Sequence, residues 1–416
     1  MARRLLRLTA KPHLSSSSYL ILARLIAPAT GFIFWSGAAQ LYQAEAVGMA
    51  SAIVSTGMLV SMLSGLGIAF SIVRFLPEAA SPVRLINAAF AFLTISALIV
   101  SGVFLLGLPW WSPELRLLRQ DGVYLSTFLG FVTASSLFTA TEMVFLSRGQ
   151  ASYVLLQTVL TNGSRLILAV LFMQAGAIGL VGAVALSVLA SVLVSFIILI
   201  PRLFPGYRFS PSLSGTKLRP IVAYSMGNYV SNVMTQLPHL LMPLLILEIL
   251  GSEASGYAYI TWMIAKVLAV PGIALSDSAF AEASHDPARL RPIMGKSVLL
   301  GQMLTLPAAF VLLIGAPWIL SVFGAGYRLE ATGLLRWLVL ASPLMLIANI
   351  YFAYLRVQKQ VIRLVLCSGL LAAAAIAGSA VFMPDMGITA TGISWLVTNL
   401  GITLIAGINI LAHRTS

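Results

Sequence analysis

Charge is scarce in this 416-residue sequence: only 9% of its residues are Asp, Glu, Lys or Arg, against roughly 25% in soluble proteins. With 59% of residues hydrophobic and a mean hydropathy of +0.97, there is too little polar material to cover a water-facing globule. Acid is scarcer than base, 12 Asp and Glu standing against 25 Lys and Arg for a formal net charge of +13. Cysteine is almost missing, and the single Cys367 excludes an intrachain disulfide framework and a cysteine-built metal site. Long polar loops are missing as well. The longest segment between apolar runs is 202–217, rich in Pro, Gly and Ser, which reads as a linker.

What fills the chain instead is apolar runs of the roughly 20 residues that a membrane-crossing helix needs. Twelve are expected, over 19–40, 47–73, 85–109, 123–147, 153–174, 177–201, 218–247, 254–280, 293–320, 331–355, 361–382 and 388–411. At the first of them basic residues precede the run and Gly37-Ala38-Ala39 resembles a cleavage site. The run exceeds the roughly 7–15 apolar residues of a secretory signal, so cleavage is not expected.

An even number of spans puts both termini on one face, and the basic residues say which. On the N-terminal side fall Arg3, Arg4, Arg7, Lys11, Arg74, Arg84, Arg148, Arg202, Arg208, Lys217, Arg219, Arg289, Arg291, Lys296, Arg356, Lys359, Arg363 and Arg414. The other face keeps Arg116, Arg119, Arg328 and Arg336, and most of the acids. Both termini are therefore expected in the cytoplasm. Because the bases are spread over many loops and form no stripe, nucleic acid is not the expected partner.

The sequence also repeats itself. Glu45-Ala46-Val47-Gly48 at the start of span 2 returns as Glu253-Ala254-Ser255-Gly256 at the start of span 8, and Gly67-Ile68-Ala69 as Gly272-Ile273-Ala274. Glu78-Ala79 returns as Glu282-Ala283, and Gly179 as Gly387, in the same order and at nearly the same offset. The expected organisation is a basic tail at 1–18, a six-helix lobe at 19–201, the linker at 202–217, a second six-helix lobe at 218–411 and a tail at 412–416. Six is even, so the lobes keep one orientation and form a parallel repeat, an architecture that suits a transporter.

Ionisable side chains within spans are costly, about 2.5–3.5 kcal/mol at mid-membrane, and so are functional candidates. In span 1, Arg24 shares a face with Pro28, Gly31 and Trp35, although it lies close enough to the cytoplasmic end to snorkel. In span 7, Ser225, Asn228, Asn232, Thr235, Gln236 and His239 fall within about a 100° arc. Such a stripe either glues helices together or faces a water-filled cavity, and six polar groups are more than one packing seam usually needs. Pro238 and Pro243 are expected to bend or break this span.

Span 8 carries Tyr259, Lys266 and Asp277 on one face. Counted outward from the turn near Ser252, His239 and Lys266 lie at similar depth, as do Asn228 and Asp277. Lys266 and Asp277 are about 16 Å apart in helix rise, too far to pair within the span. In spans 4 and 5, Glu142 and Arg165 are candidates either for a structural network or, with Asp277, for a coupling ion. Glu142 is expected level with Gln157 and in contact with it, Arg165 lying deeper toward the far side.

No catalytic constellation is present: there is no Cys/His metal spacing, no phosphate-binding glycine loop and no His-centred acid/base pair. An enzyme, a cofactor and a resident metal are not expected. The intramembrane charges Arg24 and Lys266, His239, and Arg74 at the cytoplasmic mouth outweigh Asp277, a balance that suits phosphate or pyrophosphate. The Asn, Gln, Ser and Thr side chains suit sugar hydroxyls. A phosphate-linked sugar on a lipid satisfies both.

Three segments also resemble a known group: 65–78, which reads Gly-Leu-Gly-Ile-Ala-Phe-Ser-Ile-Val-Arg-Phe-Leu-Pro-Glu; the acidic-Ala-x-Gly turns opening spans 2 and 8; and Phe323-Gly324-Ala325-Gly326-Tyr327. They are similar to bacterial polysaccharide transporters, the O-antigen-type flippases of the multidrug/oligosaccharidyl-lipid/polysaccharide exporter superfamily. The resemblance implies an all-α membrane protein of two six-helix lobes in a V, with a cleft lined by spans 1, 2, 7 and 8. It implies flipping of an undecaprenyl-pyrophosphate-linked oligosaccharide across the inner membrane, with polysaccharide polymerase or export machinery as partners. In such families basic cleft residues receive the pyrophosphate, and Arg24 and Lys266 are the positions that fit. Spans 13 and 14 of longer relatives have no counterpart here. Two other functions compete: a multidrug and toxin extrusion antiporter on the same fold, using Glu142 and Asp277, and a membrane-embedded glycan polymerase or ligase.

Overall fold

The computed structural model describes residues 12–210, 218–286 and 289–412, and within them the chain is helical with no strand. Twelve of the described helices are long and apolar enough to cross a membrane. Spans 1 to 6 are Ser18–Leu41, Ala44–Gly65, Pro82–Trp111, Gly122–Ser147, Ala151–Leu171 and Met173–Leu203. Spans 7 to 12 are Tyr229–Leu250, Ser252–Ser284, Leu290–Ser321, Ala325–Val357, Val361–Met386 and Thr389–Asn409. This is an all-α, multi-pass membrane protein.

The helices group into two compact units, one of Met1–Ala38 with Gly57–Tyr229 and one of Ala39–Thr56 with Val230–Ser416. Lipid offers no hydrophobic drive for helices to associate, so close backbone approach and interhelical hydrogen bonds hold them together. In the first unit Ser136 on span 4 shares hydrogen bonds with Ser61 at 2.9 Å and Ser64 at 3.2 Å on span 2. Ser96 on span 3 donates to the Ser64 carbonyl at 2.7 Å, so three spans meet on one serine cluster. An apolar core forms where Ile68, Ile72 and Leu76 pack with Ile86, Phe90, Val144 and Phe145.

In the second unit, two glycines of the repeat face each other. A Cβ on Gly48 would run into the carbonyl oxygen of Ser252, and one on Gly256 into that of Ala44. The pairs Ala44/Ser252 and Gly48/Gly256 occupy matching positions of the repeat. The two motif copies therefore cross reciprocally, each glycine admitting the other copy's backbone.

Span 2 departs from the sequence expectation of one helix over 47–73. It stops at Gly65, and Leu66 and Gly67 both turn left-handed, with φ of 44° and 74°, before a short helix over Ile68–Phe75. Carbonyls near the end of the longer helix are satisfied from outside it: Tyr229 Oη donates to the Leu63 carbonyl at 3.0 Å and lies 3.3 Å from that of Met62. The short helix is amphipathic, burying Ile68, Ile72 and Leu76 and leaving Arg74 in an exposed ion pair with Glu78 at 3.6 Å.

Span 7 differs in the opposite sense. The helix runs unbroken over Leu218–Leu250 through both Pro238 and Pro243. The Pro243 carbonyl accepts from Ser255 Oγ at 3.0 Å, so spans 7 and 8 are hydrogen-bonded at this point. Between spans 6 and 7, the buried Tyr207 donates to Asn87 Oδ1 at 3.0 Å while Asn87 Nδ2 donates to the Arg208 carbonyl at 3.0 Å. These bonds tie the start of the connecting segment to span 3. Burial pushes the Tyr207 phenol well above its usual range.

Candidate functional site

Span 8 is interrupted where its lysine sits. Pro271 has no N–H to give the Val267 carbonyl, so the helix Ser252–Lys266 gives way to a tight 3-10 turn over Val267–Ala269, with the Val270 N–H on the Val267 carbonyl. Lys266 thus closes a helix, where its charge is favoured by the helix dipole. Its side chain is accessible.

Lys266 lines a pocket with about 470 Å³ of empty space, part of it open to the outside. Span 7 contributes His239, Met242, Pro243 and Ile246, and span 8 contributes Tyr259, Trp262, Met263 and Lys266. Both sets follow the three- and four-residue steps of a helix face, so the pocket is the groove between two adjacent helices. Behind it an aromatic nest forms: the His239 ring centre lies 5.7 Å from that of Trp262 and 5.0 Å from that of Trp395 on span 12, and the two indoles are 5.2 Å apart. His239 Nδ1 and Trp262 Nε1 are buried and have no hydrogen-bond partner among the described residues.

The structure thus brings His239, Tyr259 and Lys266 together. Asn232 and Gln236 are exposed on span 7 and do not line the pocket. Thr235 turns its hydroxyl onto the Ser231 carbonyl at 2.8 Å. The side chains of Ser225 and Asn228 lie outside those described. Asp277 is exposed on the helix Val270–His285 beyond the 3-10 turn and is not part of the pocket.

The first unit gathers a different group. Arg24 is exposed on span 1, with Pro28 exposed beyond it and Trp35 buried further along. Half-buried Glu142 lies within the field of Arg24. The Arg165 guanidinium sits over the Phe34 ring, 5.6 Å from its centre, and Phe34 meets Trp35 edge-on at 5.0 Å. Gln157 does not reach for Glu142 as expected. Its amide donates to Thr141 Oγ1 at 2.7 Å, so the hydroxyl one residue earlier takes the bond. Arg74 is apart from this group on its short exposed helix. Among the described residues no group of three or more His, Cys, Asp or Glu is placed to hold a metal ion.

Sequence reasoning missed the aromatic partners. Trp262 had a usable signal, since it lies one turn from both Tyr259 and Lys266. Trp395 and Phe34 had none, because only the packing of distant spans brings them to His239 and Arg165.

No protein-family model matches this sequence, and no curated relative does. Solved structures do match in fold. The lipid II flippase MurJ in an inward closed conformation is similar with a TM-score of 0.78 at 12% identity, over 94% of this chain and 87% of that one. A multidrug resistance MATE family transporter of the MOP superfamily is similar in its inward-facing conformation with a TM-score of 0.69 at 16% identity, over 95% of this chain and 99% of that one. The outward-facing conformation of such a transporter gives 0.59 at 14% identity, over 98% and 97%. The chain has the fold of these transporters.

Proposed function

We propose that this protein is a flippase, carrying a phosphate- or pyrophosphate-linked lipid oligosaccharide of the undecaprenyl type from the cytoplasmic to the outer leaflet of the inner membrane. It would serve surface polysaccharide synthesis and act by alternating access, without chemistry of its own and with the two six-helix lobes of the repeat as moving bodies. The observation that carries this reading is the sign of the charge at membrane depth, where Arg24, Arg165 and Lys266 outnumber Glu142 and Asp277. A cationic interior suits an anionic headgroup and opposes cationic cargo. The fold likeness to a lipid II flippase supports the same reading. Asymmetry of the basic residues argues for cytoplasmic termini. Arg24 and Lys266 supply the positive charge, Arg74 an entry charge, and Ser225, Asn228, Asn232, Gln236, His239 and Tyr259 partners for hydroxyls.

Arg24→Ala and Lys266→Ala should each abolish surface-glycan export at unchanged protein level in the membrane. Wild-type export in both variants would sink the assignment.

A second reading is favoured by one observation, the half-buried carboxyl of Glu142 beside Arg24 in a fold shared with a MATE transporter. On that reading the protein is a cation-coupled multidrug exporter, and Glu142 and Asp277 carry the coupling ion. A deletion strain hypersensitive to cationic drugs, with intact surface glycan, would select it.

A further inference from the structure

Resting on the flippase reading, we propose that the pocket between spans 7 and 8 takes one acidic sugar residue of the cargo, a uronic acid, and not the pyrophosphate. The argument starts from the charge count. The pocket holds a single lysine, Lys266, and no arginine, and among the described residues no ion-pair or hydrogen-bond partner for Lys266 is found. One ammonium neutralises one carboxylate, whereas pyrophosphate brings at least two charges that need several donors to replace its water.

Much of the wall offers none. Met242, Pro243, Ile246 and Met263 present apolar surface on both helices. A pyranose ring has what such a wall needs, an apolar C–H face with hydroxyls around its rim. Trp262 and Tyr259 supply aromatic surface on the helix that carries the lysine. Trp262 and Lys266 are one turn apart, about 6 Å of rise. That is on the order of the distance from the centre of a sugar ring stacked on the indole, through its exocyclic carboxylate, to an ammonium at hydrogen-bond length.

The nest behind the wall adds a second, independent observation. His239 Nδ1 and Trp262 Nε1 are buried without partners, and each such group costs roughly 1–3 kcal/mol. Packing alone would be served better by phenylalanine at either position. Two unpaired ring nitrogens beneath the surface of a groove that holds a lysine fit a ligand rich in hydroxyls, which can accept from the indole N–H and pair with the imidazole once both rings rotate toward the groove.

The test uses the purified full-length protein in lipid nanodiscs, with tryptophan fluorescence and thermal stability read while methyl glucuronide, methyl glucoside, cyclohexanecarboxylate or inorganic pyrophosphate is titrated. Methyl glucuronide should change both signals saturably. Lys266→Gln should weaken it at least tenfold, Lys266→Arg should keep it, and Trp262→Phe should weaken it with folding intact. Methyl glucoside should bind at least tenfold more weakly than the glucuronide. Equal binding of the two glycosides, equal binding of cyclohexanecarboxylate, or displacement of the glucuronide by pyrophosphate overturns the proposal. Export in cells separates the two claims. If Lys266→Gln loses export while no glucuronide binds, the sugar assignment falls and the flippase stands. If the glucuronide binds as described and Lys266→Gln exports normally, the pocket stands and its role in flipping falls.

Discussion

Gly48 and Gly256 are each seated on the other motif's first turn, where a side chain would meet a main-chain carbonyl that cannot rotate away. Gly256→Val should cost at least about 1–3 kcal/mol by overpacking. It should lower the detergent melting temperature, and Gly48→Val should do the same, while Gly31→Ala on span 1, where a Cβ meets nothing, should leave it unchanged. Tyr207 gives a second residue-scale expectation. Tyr207→Phe removes the bond to Asn87 Oδ1, worth about 1 kcal/mol, and should speed trypsin cleavage at the exposed Arg208. Because burial raises the folded-state phenol, its contribution is constant below the unfolded value of about 10 and declines only as pH climbs beyond it. A stability profile flat from pH 6 to 9 is therefore expected of this contact. At this scale three of the eight lining residues, His239, Tyr259 and Lys266, could be read from spacing: counting residues outward from the turn at Ser252 brings His239 level with Lys266. The rings behind them could not be read, because nothing local in Trp395 says which distant helix it will meet.

Helix boundaries show where hydropathy stops being informative. The apolar run of span 2 continues through Leu66 and Gly67, so a window average sees one long helix, while the backbone reverses hand at both residues. A left-handed conformation at Leu66 costs roughly 1–2 kcal/mol relative to glycine. Leu66→Gly should accordingly raise the melting temperature by a few degrees and Gly67→Ala should lower it; opposite signs would mean that the break is not a fixed feature of the fold. Of the bend or break expected at the prolines of span 7, no break is present. Pro238 and Pro243 withhold the N–H groups that would bond the Met234 and His239 carbonyls, yet the helix continues through both, and Ser255 on the next helix bonds the Pro243 carbonyl. The proline that does change the helix is Pro271, and its effect is to end a helix one turn earlier, at the residue that bears the charge of the pocket.

Across the whole molecule, the count of twelve spans was legible because lipid thickness fixes how long an apolar run must be. Orientation rests on the basic residues alone. A fluorescent protein fused after Ser416 should be bright and alkaline phosphatase fused there inactive, and the reverse pattern would invert the topology. The repeat was legible through a few small residues, chiefly the two acidic-Ala-x-Gly motifs, since their glycines are constrained by backbone contact and not by hydropathy.

The reciprocal seating of those two motifs has a consequence for how the polypeptide can be divided. Residues Ala39–Thr56, reaching into span 2, group with the later unit although they are synthesised about 170 residues ahead of its remainder. A fragment comprising 218–416 would leave Ser252 and Gly256 facing lipid where the turn at Ala44–Gly48 belongs. Expressed alone it should be degraded, and co-expression with 1–217 should rescue it, provided the donor carries Gly48. On that outcome the two motif copies are obligate partners, and neither half of the chain is self-sufficient.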